Sequence, residues 1–288
     1  MSEQDAQDTT RPRAELRRWP VRIREARLIR RATVTPRMLR LTFGGPAMTG
    51  FESHIADEHV KLLFPEPFDD TSRIPVPDGD RLRWPRPIVP SRDYTVRRHD
   101  PATGEVDIDV VAHEGGVAST WAREAAIGST IWMAGPPRGV HVPDAFQWQA
   151  LLGDETALPA IARRLAELPR DIRGVVVIEV ADAAEEQPMD MPEGFEVRWL
   201  HRDGRPAGTT TLLADAAADI AIPAGGGAYV WYGGEQGMIR PLRAWVRRAG
   251  LERGEFDLTG YWRRGERGNQ PSAGDVVHAV AHALHLTD

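Results

Sequence analysis

The rhythm of apolar and polar positions along the chain changes once, near Gln147. Before that point, short apolar or alternating stretches recur: Val21 to Arg30, Met38 to Phe43, His59 to Phe64, Tyr94 to Arg98, Val106 to Ala112 and Thr130 to Ala134. Turn residues such as Thr35-Pro36 and Gly44-Gly45-Pro46 separate them. Several short strands punctuated in this way predict an antiparallel β-barrel. Residues 65–90 carry too many prolines for a core element and are expected to form a flap or a mobile excursion.

After Gln147 the pattern is that of strands alternating with helices. Leu151 to Gly153 ends a strand, and Leu158, Ile161, Ala162, Leu165 and Leu168 fall at helical spacing within Ala157 to Leu168. Residues 174–180, GVVVIEV, form a continuous β-branched run suited to a strand covered on both faces. Residues 195–200 and 228–232 predict two further strands, and Glu255 to Trp262 the last one. Helices are expected around Leu212 to Ala217, from Gln236 to Ala249 and from Ser272 to Leu286. This order predicts an open parallel α/β sheet. The chain is therefore read as a flexible tail (1–18), a barrel domain (19–145) and an α/β domain ending in a helix (146–288).

Composition narrows the function classes. At 288 residues there is room for two ordinary domains, and 41% hydrophobic with 27% charged residues is normal for a soluble globular protein. No apolar run approaches the roughly 18 residues that span a bilayer, so no membrane insertion is expected. The polar start lacks the apolar core of a secretory signal, which points to the cytoplasm, and a monomer is expected. The absence of cysteine excludes disulfides, thiolate metal sites and a thiol nucleophile. A net charge of −6 argues against nucleic acid as a partner. Of 36 lysine plus arginine residues only Lys61 is lysine, which singles it out.

Two motifs in the first half carry chemistry. Arg92-Asp93-Tyr94-Thr95-Val96-Arg97 opens a strand, where alternation sets Arg92 and Tyr94 on one side with Thr95 adjoining. A guanidinium fork, an aromatic and a short hydroxyl suit an anionic cofactor with a planar ring. His113-Glu114-Gly115-Gly116-Val117-Ala118-Ser119-Thr120-Trp121 then links a strand to a short helix, leaving backbone N–H groups for an anion. Ser119 could cap that helix and Trp121 could stack on an adenine; a plain glycine turn with a packed Trp fits the same residues. In the second half Gly153-Asp154-Glu155-Thr156 and Gly233-Gly234-Glu235 fall at the carboxyl ends of strands, where open α/β sheets bind ligands, and Thr156 could cap the following helix. Gly225 to Gly227 precede a strand, so they read as a turn and not as a Rossmann fingerprint.

Those motifs, together with Gly153 to Ala160, Trp231 to Glu235 and Gly260 to Gly265, resemble the siderophore-interacting protein family. The resemblance runs from about Trp19 to Gly265. It implies a ferredoxin-reductase-like fold, with FAD held by the barrel and NAD(P)H admitted by the α/β domain. It further implies reduction of a ferric siderophore in the cytoplasm, by electron transfer through the flavin with no side-chain acid or base. By this resemblance Arg92, Tyr94, Thr95 and Arg97 hold the flavin, and His113, Gly116, Ala118, Ser119 and Trp121 line its pyrophosphate and adenine ends. Asp154, Glu155, Thr156, Gly234 and Glu235 lie beside the flavin and the nicotinamide. Lys61, Arg138, Arg263 and Arg264 form a basic cluster for the chelate, attracting anionic iron complexes. A flavin electron carrier coupled to ferredoxin or flavodoxin, and a siderophore-binding module without turnover, remain as alternatives.

Glu179, Asp182, Glu185 and Glu186 lie near the expected ribose end and lean the donor towards NADH, since carboxylates repel a 2′-phosphate. His201-Arg202 could offset them and keeps NADPH open. His278, His282 and His285 share one face of the expected terminal helix, read as amphipathic, and no metal is expected.

Overall fold

A computed structural model describes residues 11–64 and 71–265. The expected terminal helix and its three histidines lie outside them. Among the described residues, sixteen strands and four α-helices fall into two parts. In the first, β2 (Ile23–Thr35), β3 (Met38–Gly44), β4 (His59–Leu63), β7 (Ser91–Thr95), β8 (Arg98–Asp100), β9 (Glu105–Val111) and β10 (Thr130–Ala134) form an antiparallel sheet in the order β7-β4-β10-β2-β3-β9-β8. Residues two apart on its strands, such as Ala26 and Leu28, Leu41 and Phe43, Val60 and Leu62, Ile131 and Met133, enter one core. Helix α1 (Val117–Glu124) adds Ala118, Trp121 and Ala122 to it.

The sheet takes a barrel's curl without a ladder between its edges. Edge strands β7 and β8 are joined by Val96 and Arg97 alone, a span of about 10 Å at most. The Val96 amide donates to Glu58 O and the Arg97 amide to Asp107 O, each at 2.9 Å, so the linker bonds to strand neighbours on both edges.

In the second part β12 (Trp148–Asp154), β13 (Arg173–Val180), β14 (Phe195–His201), β15 (Ala228–Glu235) and β16 (Phe256–Trp262) make a parallel sheet in the order β14-β13-β12-β15-β16. The pleat divides its residues between two cores. Leu151, Val176, Ile178 and Trp231 face α2 (Leu158–Glu167), while Leu152, Val175, Val177 and Tyr232 face α3 (Leu212–Ala218) and α4 (Ile239–Arg248). Coverage on both faces is why these strands read as unbroken apolar runs.

Two expectations need correction. Part of the presumed tail is a strand: β1 (Glu15–Arg18) pairs with β11 (Arg138–His141), and the Ala14 amide donates to Gly254 O at 2.7 Å. The proline-rich stretch contains a hairpin of β5 (Val76–Asp78) and β6 (Arg81–Arg83), and it buries Ile74 and Val89 against Leu63 and Ala134.

The two parts share packing. Met38 is buried in the core of α2, with Val34 and Val111 against it. Arg163 of α2 donates to Ser53 Oγ at 2.7 Å and Val96 O at 2.9 Å. Glu185, 5% exposed, accepts from Thr35 Oγ1 at 2.5 Å and from the Arg37 amide at 3.0 Å on the β2–β3 turn. It therefore faces the barrel part, and a ribose is not its partner.

At the carboxyl ends of the strands, the buried Asp154 carboxylate accepts four bonds. Thr156 supplies its amide at 2.9 Å and its hydroxyl at 2.5 Å, the Glu235 amide lies at 3.1 Å and Trp262 Nε1 at 2.8 Å. Asp154 thereby joins the ends of β12, β15 and β16. Burial, with Glu155 beside it, pushes its pKa up to about 6 despite these donors.

Replacing Glu185 with Ala strands a buried hydroxyl and amide, and should cost about 2–4 kcal/mol in urea unfolding; a loss below about 0.5 kcal/mol would refute its role as a tie. For Asp154 the folded pKa lies above the unfolded value of about 4. Its contribution is thus fully present below about pH 4 and lost as pH rises through about 6. Relative to Asp154→Asn, wild type should lose on the order of 1–3 kcal/mol across that window; parallel pH profiles would contradict this.

Candidate functional site

Many of the motif residues stand on β7 of the first sheet and at the ends of β12, β15 and β16 of the second. On the barrel side, Arg92 and Tyr94 are half-buried and Thr95 is buried on β7. Tyr94 packs on the barrel core, and burial raises its phenol pKa. Tyr261 of β16 lies close enough to Thr95 for the hydroxyl to temper the rise that burial gives its phenol pKa, so β7 approaches the second sheet. Arg92 Nη1 donates to Ser91 O at 2.7 Å, and among the described residues no carboxylate forms an ion pair with the guanidinium. Burial lowers its pKa, a sign that its charge lacks a matched counter-ion. Arg97 belongs elsewhere: it approaches Asp109 at 3.9 Å, a carboxylate already gripped by Arg40 at 2.7 and 2.8 Å.

The glycine loop before α1 is well formed, but two of its residues do not do what the sequence suggested. Trp121 is 7% exposed and stacks on Phe43 at 6.0 Å, with Phe64 edge-on at 6.2 Å. It belongs to the barrel core and has no face left for an adenine. The Ser119 hydroxyl donates to His113 O at 2.7 Å and accepts from the His113 amide at 2.8 Å. That reciprocal pair closes the loop and takes Ser119 from the ligand side. Ala118 is buried beneath the loop, and His113 is exposed with Nδ1 3.0 Å from Glu114 O. A Cβ at Gly116 would meet the His113 ring, which would have to move aside. Gly116 stands at the N-cap of α1 without a side-chain cap bond, which leaves the helix start to an external anion.

On the sheet side, Thr156 does not cap α2, whose N-cap is Ala157 without a side-chain bond; both its donors go to Asp154. Gly234 has φ +148°, and a Cβ there would lie 2.7 Å from Asp154 Oδ2. Glu235 accepts from the Gly237 amide through Oε2 and from the Arg264 amide through Oε1 at 3.1 Å. Glu155 is held bidentately by Arg202 at 2.5 and 2.7 Å, and Glu179 lies 3.6 Å from the same guanidinium. Glu179 also accepts from Thr210 Oγ1 at 2.6 Å, Asp182 caps a turn through the Ala184 amide, and Glu186 pairs with His201 at 2.8 Å. The acids expected at a ribose all have protein partners, which removes their simple argument for NADH.

The expected basic cluster is part assembled. Lys61 Nζ lies 2.8 Å from Asp93 Oδ1, so it is ion-paired. Arg138 is half-buried on β11 opposite Arg18; burial and then Arg18 lower its pKa, while Asp257, Asp93 and Asp57 oppose them. Arg263 and Arg264 are exposed at the end of β16, Arg264 anchored by its amide to Glu235. Sequence reasoning gave Asp93, Tyr261 and Trp262 no role of their own, although Asp93 stands between Arg92 and Tyr94 and the other two lie within Gly260 to Gly265. Arg202, expected at the ribose end, is instead held by Glu155.

Arg92 without a carboxylate, the uncapped start of α1 and the side-chain-free Gly116 fit a phosphate-bearing cofactor. Comparison with known proteins agrees with that fit. Residues 27–141 match the siderophore-interacting FAD-binding domain, and residues 146–265 the siderophore-interacting protein domain. A ferric vibriobactin reductase of Vibrio cholerae is 30% identical over 255 residues, 88% of this chain and 93% of that one. An NADPH-dependent ferric-chelate reductase of Escherichia coli is 34% identical over 227 residues, 77% and 85% of the two chains. The crystal structure of a siderophore utilization protein from T. fusca, 41% identical, superposes with a TM-score of 0.82 over 89% of this chain and 98% of that one. A ferredoxin reductase of carbazole 1,9a-dioxygenase at 15% identity shares the fold alone, with a TM-score of 0.59 over 84% and 70%. The chain belongs to the siderophore-interacting protein family, with its FAD-binding sheet ahead of a ferredoxin-reductase-like parallel sheet.

Proposed function

We propose that the protein is an FAD-dependent oxidoreductase that draws reducing equivalents from NAD(P)H and reduces iron held by a siderophore, releasing it as Fe(II) in the cytoplasm. The observation that carries this reading is Arg92: a half-buried guanidinium with no carboxylate partner among the described residues, in the half of the chain that matches an FAD-binding domain. Two relatives are named as a ferric vibriobactin reductase and a ferric-chelate reductase, the latter NADPH-dependent.

Bound FAD supplies the exchange between a two-electron hydride and single electrons. The chain's own residues bind and orient. Arg92 offers a forked donor to a phosphate, and the start of α1 with Gly116 offers backbone N–H groups. Tyr94 would present an aromatic to the flavin ring, with Thr95 next to it on the same strand. Asp154, Gly234 and Glu235 shape the sheet side without crowding it. Lys61, Arg138, Arg263 and Arg264 receive the chelate. Hard oxygen ligands hold Fe(II) far less tightly than Fe(III), so electron transfer suffices for release. Arg202 is engaged by Glu155 and Glu179 and is not left for a 2′-phosphate, which favours NADH.

Arg92→Ala should purify with flavin occupancy lowered severalfold, read as the flavin-to-protein absorbance ratio; full occupancy would remove Arg92 from the site. Anaerobic mixing of the wild-type holoprotein with NADH or NADPH should bleach the flavin, and a ferric siderophore with an Fe(II) trap should then give the ferrous signal. Faster bleaching with NADPH would reverse the donor preference. No bleaching with either, but a signal with reduced ferredoxin, would replace the donor altogether.

A further inference from the structure

Lys61, the chain's sole lysine, does not stand free. It lies directly opposite Asp93 in the β4–β7 ladder, with its ammonium 2.8 and 2.9 Å from the two carboxylate oxygens. Val60 and Leu62 point into the barrel core, so alternation brings His59 and Lys61 out on the other side of β4. On β7, Asp93 and Thr95 stand opposite them and share that side. Burial opposes charge on Asp93, but Lys61, His59 and Arg138 outweigh it and hold the carboxyl below its usual range. A fixed anion therefore sits among the cations expected to receive the chelate.

Its position is not explained by stability. The side chains of Lys61 and Asp93 are 30% and 48% exposed, and a cross-strand ion pair at that exposure contributes about 0–1 kcal/mol. What the pair does change is the field at the site. An incoming anion must either displace the Asp93 carboxylate from Lys61 or approach against it. An uncharged iron complex meets neither obstacle, and its oxygens can still accept from Arg138.

We propose that Asp93 is the specificity-determining residue of the chelate site, occupying Lys61 and so selecting ferric complexes with little or no net negative charge, such as tris-hydroxamates, over trianionic tris-catecholates. This rests on the reductase reading above.

The test compares wild-type holoprotein with Asp93→Asn, a near-isosteric change that removes the charge. Values of kcat/KM are measured for one ferric tris-catecholate and one uncharged ferric tris-hydroxamate, at low and high ionic strength. Each complex keeps its own iron potential, so that difference cancels when the catecholate-to-hydroxamate ratio is compared between proteins. The ratio should rise about tenfold in the variant at low salt, mainly through KM for the catecholate. The rise should shrink at high salt, and adding Lys61→Gln should abolish it. A ratio that stays within about twofold of wild type, or a rise indifferent to salt and to Lys61, would overturn the inference while leaving the reductase reading intact. Wild-type protein that reduces neither complex with NADH, NADPH or reduced ferredoxin would sink that reading, and this inference with it.

Discussion

One buried carboxylate sets the carboxyl edge of the second sheet. Asp154 takes bonds from its own strand's following turn, from the amide of the last residue of β15 and from the indole at the end of β16. Parallel strands otherwise have no common device at their carboxyl ends, because each leads into its own connection. A single acceptor shared by three of them sets their ends at one level. Gly234 is part of the same constraint, since a Cβ there would crowd Asp154. The edge that carries Gly234 and Glu235 is thus held by a single buried acceptor.

Electrostatic matching elsewhere follows the same economy. Carboxylates that looked available in the sequence are tied to protein partners: Glu185 to the barrel turn, Glu155 to Arg202, Glu179 to Thr210 and Glu186 to His201. Against this background an arginine without a carboxylate carries information. Arg92 is half-buried and, among the described residues, is seen to donate to a neighbouring carbonyl and to no carboxylate. Lys61 differs, because it is met by a carboxylate that stays half in solvent.

Much of the fold was legible because burial imprints a period on each strand. Residues 174–180 read as a strand covered on both faces, and Val175 and Val176 do enter opposite cores. Glu15–Arg18 and Arg138–His141 were missed because both are polar and their pairing joins residues more than a hundred apart in sequence. The site was legible where a motif constrains the backbone, as at Gly116 and Gly234, and less so where the outcome depends on which face a side chain takes. Trp121 could have faced a ligand or the core, and only the packing of Phe43 and Phe64 decides it. Lys61 read as an isolated cation because the register that sets Asp93 opposite it is not written in either segment alone.

The pairing of β1 with β11, and of Ala14 with Gly254, also bears on how the chain is made. Residues 14–18 are synthesised before both of their partners, at 138–141 and at 254. The pairing with β11 must wait until more than a hundred further residues have emerged, and the bond to Gly254 until β15 has been made. The segment is a late fastening across the two parts and not the place where either begins to fold.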